Sequence, residues 1–158
     1  MMKPKAYLET SVISYLTSRP NRDLIVAANQ QITQEWWHTR RQYFDLFVSQ
    51  LVTQEASSGD QALAQQRLQA LQGIPVLELS DEALTLAEAL VTKGPLPPKA
   101  AEDALHLAVA TVNGMDYLLT WNFKHLANAT IRFQIERACR LNGYEPPIIC
   151  APLELMED

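Results

Sequence analysis

The sequence has few cysteines, and the two present, Cys139 and Cys150, neither make a disulfide framework nor have the spacing of a metal-binding motif. We expect both to be small buried hydrophobic residues. No apolar run approaches the roughly 20 residues that a membrane-spanning helix needs. The lysines at the start precede no stretch apolar enough for a signal peptide. These absences predict a cytoplasmic protein with no membrane segment.

Positive charge is also scarce, because 13 Lys and Arg residues stand against 18 Asp and Glu residues, for a net charge of −5. Such a chain has no electrostatic footprint for gripping phosphates, which weighs against a passive nucleic-acid binder. A metal-dependent nuclease is less affected, since bound cations invert the local charge. An acidic chain also suits a basic protein partner, because opposite fields speed encounter.

Length and composition favour one folded domain over residues 1–158, because domains cluster near about 100–150 residues and 47% of the residues are hydrophobic. Strand-like and helix-like segments alternate, which predicts an α/β fold with a central parallel sheet of about five strands flanked by helices on both faces. The strands are predicted at residues 5–9, 43–48, 76–79, 117–121 and 148–150. Three helices are predicted to follow the cap residues Thr10 or Ser11, Ser49 and Ser80. Four more are predicted over residues 24–37, 60–71, 100–113 and 130–141.

Acidic and amide side chains fall where parallel strands of such a sheet would end. Glu9 ends the first strand, and Glu55 lies on the helix after the second. Glu102 and Asp103 begin the helix that leads to the fourth strand, and Asn122 follows that strand. Ligands of open α/β sheets bind beyond the carboxyl ends of the strands, so these residues can meet at one edge. Helical spacing alone does not choose between the two acids of the later helix.

Carboxylates gathered in this way repel one another until a hard cation binds, and Mg²⁺ and Mn²⁺ prefer such oxygen ligands. A bound cation activates water and stabilises the charge that develops on a phosphate. Rival motifs are missing: there is no phosphate loop, no dinucleotide fingerprint and no His-Glu-x-x-His helix. Taken singly, each acid can also be a solvent-facing charge or, for Asp103, a carboxylate that favours a helix N-terminus. The residues alone therefore predict a divalent-metal site without naming its reaction.

Four short motifs at these positions resemble those of the PIN-domain ribonucleases, in particular the VapC-type toxins of bacterial toxin–antitoxin pairs. They are Tyr7-Leu8-Glu9-Thr10-Ser11-Val12-Ile13, the acid Glu55, Asp103-Ala104-Leu105-His106-Leu107-Ala108 and Leu119-Thr120-Trp121-Asn122-Phe123. The resemblance spans nearly the whole chain, and it selects Asp103 over Glu102. It implies a PIN-like fold, Mg²⁺- or Mn²⁺-dependent cleavage of RNA, inhibition by an antitoxin protein and a homodimer.

Two positions depart from the family's pattern. The family usually has Asp where this chain has Glu9, and the extra methylene moves the carboxylate by roughly 1.5 Å. It often has a fourth Asp where this chain has Asn122, which brings no negative charge. The resemblance thus implies Glu9, Glu55, Asp103 and Asn122 as catalytic positions. We expect one well-held metal ion on Glu9 and Asp103, reached by Glu55 directly or through water, and a second ion that is weak or arrives with the RNA.

Other polar side chains near these motifs have more modest interpretations. Ser11 and Thr120 are predicted to support the carboxylates by hydrogen bonds. Asn128 either does the same or caps the helix that follows it. His106 is interpreted as a packed histidine and not a ligand, because oxygen-rich sites rarely need imidazole. His125 is interpreted as an exposed loop residue.

An aromatic cluster near the second strand contains Trp36, Trp37, Tyr43 and Phe44. Base stacking on such residues is conceivable. We favour core packing or a dimer interface, because aromatic residues dominate both.

Three functions remain open from the sequence. The first is a PIN-type endoribonuclease that acts as a toxin. The alternative, kept open by Glu9 and Asn122, is a catalytically impaired PIN-like protein that binds a partner or RNA. The third is a metal-dependent phosphatase or hydrolase of a small molecule, which needs a deep closed pocket where a ribonuclease needs an open groove.

Overall fold

Five short strands form one parallel sheet in the computed structural model, which describes residues 2–157. They are β1 (Lys5–Leu8), β2 (Asp45–Ser49), β3 (Val76–Leu77), β4 (Tyr117–Leu119) and β5 (Ile148–Cys150). Their order across the sheet is β3-β2-β1-β4-β5, and each neighbouring pair runs parallel. The predicted α/β fold, with its central parallel sheet, is confirmed.

Seven α-helices connect and flank these strands within residues 2–157. They are α1 (Thr10–Thr17), α2 (Leu24–Thr39), α3 (Gln50–Ala56), α4 (Gln61–Ala70), α5 (Asp81–Thr92), α6 (Ala101–Val112) and α7 (Ala129–Leu141). The predicted helix bounds agree to within two residues, because apolar residues at helical spacing mark them clearly. In the part of the chain that the structure describes, no helix combines the length and the apolar character that crossing a bilayer requires.

The strand bounds were predicted less well than the helix bounds. The segment predicted as a strand from residue 43 begins only at Asp45, because Arg41–Tyr43 forms a 3₁₀ turn. The strands predicted over residues 76–79 and 117–121 also end two residues early. In the second case the Thr120 N–H still donates to the Cys150 carbonyl of β5, but the N–H groups of Trp121 and Asn122 donate to side-chain hydroxyls and not to a neighbouring strand, which ends the ladder.

The start of α1 corrects the predicted helix cap. Thr10 and Ser11 were expected to cap this helix, but the N-cap is Glu9, whose backbone is extended (φ −74°, ψ 153°) and whose carboxylate accepts from the Ser11 N–H. The predicted caps at Ser49 and Ser80 are confirmed. A side-chain cap contributes about 0.5–2 kcal/mol. The first acid of the predicted site is therefore fixed by the helix that it begins.

Burial of the central strands brings their carboxyl ends together. Ala6, Tyr7 and Leu8 of β1 are fully buried, and Leu8 pairs in register with Leu119 of β4. The Glu9 N–H continues this pairing by donating to the Leu119 carbonyl at 3.0 Å. The residues that follow β1 and β4 consequently lie side by side at one edge of the sheet.

Core packing accounts for most of the aromatic cluster. Trp36 is fully buried and lies 5.6 Å, between ring centroids, from Phe44. Phe44 in turn meets Tyr117 edge to face at 5.9 Å. Tyr43 is about half exposed, and the Arg40 guanidinium lies over its ring at 4.5 Å. The preference for packing over base stacking therefore agrees with the structure, except at Tyr43.

Both cysteines are buried, as predicted. Burial raises the pKa of the Cys139 thiol to about 11 and that of Cys150 to about 12. A thiol with so high a pKa is protonated at neutral pH and has little thiolate character. The two cysteines thus contribute as small apolar groups.

Candidate functional site

Glu9 is held by three hydrogen bonds at the junction of β1 and α1. Its carboxylate accepts from the Ser11 N–H at 3.1 Å, the Ser11 hydroxyl at 2.5 Å and the Thr120 hydroxyl at 2.6 Å. The same two hydroxyls accept from the backbone N–H groups of Trp121 and Asn122. Only 7% of the residue is exposed. Ser11 and Thr120 therefore make the carboxylate contacts that were predicted of them.

Glu55, on α3, is the second carboxylate of this edge. Its Oε1 accepts from the Thr10 hydroxyl at 2.5 Å and lies 2.7 Å from Nε2 of His106. Desolvation raises the pKa of Glu55, but the hydrogen bonds from His106 and Thr10 outweigh it and hold the pKa at about 2. Both of these bonds go to Oε1, so Oε2 is free of them, and the carboxyl group of Glu102 is the further hydrogen-bonding neighbour of Glu55.

His106 is buried, as the sequence predicted, but it is also bonded through both ring nitrogens. It is 1% exposed, and its Nδ1 lies 2.7 Å from the Tyr7 hydroxyl. Tyr7, itself fully buried, bonds onward to the Ser49 hydroxyl at 2.8 Å. Burial raises the pKa of Tyr7 far above its usual range. A line of polar side chains thus runs from the end of β2 through the core to Glu55.

Glu102 lies on the exposed side of α6 and lines the same pocket as Glu9 and Glu55. Its carboxyl group is close enough to Glu55 to share a hydrogen bond, and that contact and the charge of Glu55 raise the pKa of Glu102. The pocket, about 570 Å³ and open to solvent, is also lined by Thr10, Ser11, Leu51, Gln54 and Ser58. Three carboxylates therefore converge on one polar pocket.

Asp103 occupies a different setting on α6. Its Oδ2 lies 3.0 Å from Nδ1 of His125, and the two side chains are 22% and 16% exposed. His125 was interpreted as an exposed loop residue; it does lie in the loop after β4, but it is mostly buried and contacts Asp103. Asn122 is the reason, because its Oδ1 accepts from the N–H groups of Lys124 and His125 and curls the chain after β4 toward α6. Turns closed by an Asn side chain in this way are common.

Asn128 lies at the N-cap of α7. Its Oδ1 accepts from the N–H of Thr130 at 3.0 Å, and its amide donates to the Lys124 carbonyl. Of the two interpretations that the sequence left open, these contacts favour the helix cap.

The predicted residues thus fall into two groups, with Glu9 and Glu55 at the pocket, and Asp103 and Asn122 beside His125. Within residues 2–157, Glu9, Glu55 and His106 are the acidic or histidine side chains whose ligand atoms all lie within 4.8 Å of one another. Two carboxylates at this separation, with a third from Glu102 in the same pocket, form an oxygen donor set of the kind that Mg²⁺ and Mn²⁺ prefer. The residues present therefore fit a divalent cation at this pocket.

Helical spacing left the choice between Glu102 and Asp103 open, the family resemblance selected Asp103, and neither assigned a role in the site to Thr10 or Tyr7. One available signal was helical phase, because Glu102 and His106 are four residues apart and so share a face of α6. Glu55, which His106 contacts, is therefore also close to Glu102, whereas Asp103 lies about a quarter turn away on the helix. The pairing of Tyr7 with His106 joins residues 99 positions apart, and no local pattern announces it.

A larger groove, of about 800 Å³, lies between α5 and α7 and is lined by residues such as Glu88, Lys93, Arg137 and Leu141. None of the predicted site residues lines it. The acidic pocket, and not the larger groove, is therefore the candidate site.

Comparison with known proteins gives one family and four matching chains among the solved structures. The family model of the PIN domain matches residues 6–128. A chain in the crystal structure of VapBC2 from Rickettsia felis, bound to a DNA fragment from their promoter, has a similar fold, with a TM-score of 0.52 and 16% identity. The similarity covers 75% of this chain and 88% of that chain. Curated protein sequences gave no match.

Proposed function

The chain belongs to the PIN domain family, and from that premise we propose that it is a Mg²⁺- or Mn²⁺-dependent endoribonuclease, the toxin of a toxin–antitoxin pair. The observation that carries the proposal is the convergence of Glu9, Glu55 and Glu102 on one open pocket at the carboxyl edge of the sheet. Carboxylates are brought together at a cost unless a cation binds among them.

Glu9 and Glu55 are the residues best placed to hold an ion. Ser11 and Thr120 fix the Glu9 carboxylate, and Thr10 and His106 fix that of Glu55, so neither carboxylate needs to reorganise on binding. We keep Asp103 as the third acid, because its motif matches the family's. For Asp103 to reach the ion, its contact with His125 must open or be shared. When bound, a divalent cation activates water and stabilises negative charge on the phosphate.

RNA is the proposed substrate because the pocket is open, where a hydrolase of small molecules needs an enclosed one. A basic antitoxin suits the net charge of −5. A solved structure with a similar fold is that of VapBC2 bound to a DNA fragment from their promoter. We propose an antitoxin partner for this chain partly because of that similarity. We propose further that the chain acts in the cytoplasm and as a homodimer.

A catalytically impaired PIN-like protein is the second candidate. One observation favours it: His125 occupies Oδ2 of Asp103, and Asn122 adds no charge beside it. Such a protein would keep the metal pocket and bind RNA or a partner without cutting.

Incubation of the purified protein with labelled RNA, with and without Mn²⁺ or Mg²⁺, tests the proposal. We expect cleavage that requires the metal and is lost in Glu9→Gln, because the amide removes the negative charge that an ion needs. The matched control is Glu35→Gln, which removes an exposed charge from α2 and should cleave as the wild type does. Equal cleavage by wild type and Glu9→Gln would show a contaminating nuclease. Metal binding without cleavage would favour the second candidate.

A further inference from the structure

A continuous line of hydrogen bonds leads from the backbone of α3 to the carboxylate of Glu55. The Val52 N–H donates to the Ser49 hydroxyl at 3.3 Å, and the Ser49 hydroxyl lies 2.8 Å from that of Tyr7. Tyr7 lies 2.7 Å from Nδ1 of His106, whose Nε2 lies 2.7 Å from Glu55. All of the side chains between the two ends are at most 1% exposed.

The two ends of this line of hydrogen bonds limit the directions in which its hydrogens can point to two. A backbone N–H can only donate, and an ionised carboxylate can only accept. If Ser49 donates to Tyr7 and Tyr7 donates to Nδ1 of His106, the ring is neutral, carries its hydrogen on Nε2 and donates it to Glu55. The opposite direction requires a buried positive ring and leaves the Ser49 hydrogen without an acceptor among the described contacts. Buried charges and unmade hydrogen bonds both cost free energy, so the first direction is favoured.

The same line determines what His106 can do for a metal ion. A histidine coordinates through an unprotonated ring nitrogen. In the favoured direction Nδ1 is occupied by the Tyr7 hydroxyl, and Nε2 carries a hydrogen bonded to Glu55. His106 lies within 4.8 Å of the ligand atoms of Glu9 and Glu55, yet it has no free electron pair to offer.

We propose that His106 is a positioning residue: held by Tyr7 and Ser49, it fixes Glu55 through Oε1, leaves Oε2 for the ion and does not coordinate the ion itself. The proposal rests on the proposed function, because it takes Glu55 to be a metal-binding residue. Outer partners of this kind commonly change metal affinity about 10–100-fold.

Nitrogen NMR of the His106 ring shows which ring nitrogen carries the hydrogen, and so tests the direction of the hydrogen bonds in the wild-type protein without any variant. We expect a protonated Nε2 and an unprotonated Nδ1, in the protein alone and with Mg²⁺ added. A hydrogen on Nδ1, or on both nitrogens, overturns the proposal. Pulsed EPR of the Mn²⁺-loaded protein adds a second criterion, because a directly coordinated ¹⁴N gives a coupling that we expect to be missing.

Mn²⁺ titration by calorimetry tests the positioning. Tyr7→Phe keeps the ring and removes the hydroxyl that holds His106, and we expect it to weaken Mn²⁺ binding about tenfold. His106→Leu should weaken binding more than His106→Gln, whose amide can still donate to Glu55. The control is Thr111→Val, which removes a buried hydroxyl elsewhere on α6. That hydroxyl donates to the Leu107 carbonyl of the same helix and lies 4.0 Å from the Cys139 sulfur. Its affinity should equal that of the wild type.

These results separate the proposal from the function on which it rests. Equal Mn²⁺ affinity in wild type and Tyr7→Phe overturns the positioning and leaves the nuclease untouched. Weakened binding in Tyr7→Phe, in a wild-type protein that cuts no RNA, supports the positioning and contradicts the nuclease. A wild-type protein that binds no Mn²⁺ contradicts both.

Discussion

The two halves of the candidate site are built differently. In the anchored half, Glu9 and Glu55 accept hydrogen bonds from Ser11, Thr120, Thr10 and His106, and neither carboxylate is countered by a lysine or arginine among its described contacts. In the paired half, Asp103 contacts His125 and Asn122 closes a turn. The anchored half contains two carboxylates held by several donors each, whereas the paired half contains one carboxylate with a single histidine contact and an uncharged amide.

This difference indicates where an ion binds first. Hydroxyl and backbone donors, and an imidazole in the neutral form proposed for His106, orient a carboxylate without cancelling its charge, so the anchored half is organised for a cation before it arrives. The paired half must first give up the contact between Asp103 and His125, which is partly exposed and so contributes only about 0–1 kcal/mol. We therefore expect one tight ion in the anchored half and a weak second one that RNA phosphate helps to hold.

The largest expected effect separates the two acids of α6. Asp103→Asn should lower metal-dependent RNA cleavage by about a hundredfold or more. Loss of a residue that only supports a metal ligand lowers activity about 10–100-fold, and loss of a proposed ligand should cost at least as much. Glu102→Gln should lower it less than about tenfold, since Glu102 is exposed and not anchored. Cleavage rates of the two variants under the same Mn²⁺ concentration give the measurement. The opposite order would place the third acid on Glu102 and reduce the paired half to a structural element.

Adding charge to the paired half should have the next largest effect. Asn122→Asp keeps the acceptor for the N–H groups of Lys124 and His125, so the turn should survive. We expect the second Mn²⁺ to bind about tenfold more tightly, the equivalent of roughly 1.4 kcal/mol. Calorimetric titration measures this, with Gln34→Glu on exposed α2 as a variant that adds the same charge elsewhere. Equal gains in both variants would mean that only net charge matters.

The sequence predicted the fold and the anchored half better than the paired half, for physical reasons. The positions of helices and strands along the chain follow from apolar periodicity and cap residues, which are local. Glu9 and Ser11 are two residues apart, so their contact is local as well. The pairing of Asp103 with His125 depends on how Asn122 turns the chain after β4, and no periodic pattern encodes that turn. The choice between Glu102 and Asp103 likewise depends on how α6 is rotated against Glu55.

Acid stability tests the anchoring of Glu55. Its pKa is about 2 in the folded protein, against 4.5 for an unperturbed glutamate. A depressed pKa stabilises the fold above the unfolded value, and that contribution disappears as the pH falls through the folded value. In EDTA, the wild type should be more stable than Glu55→Gln at neutral pH, and the difference should shrink between about pH 4.5 and pH 2. Urea unfolding across this range measures it, and a difference independent of pH would show that Glu55 is not anchored as a carboxylate.

The smallest expected effect comes from releasing Asp103. His125→Ala removes the partner of that carboxylate, and a partly exposed pair of this kind contributes at most about 1 kcal/mol. Mn²⁺ binding should therefore tighten by no more than about fivefold, while His38→Ala, at the exposed end of α2, should leave it unchanged. The gain should diminish in high salt, because exposed charges are screened. If binding instead weakens in His125→Ala, the histidine orients Asp103 for the ion, and both halves of the site are anchored.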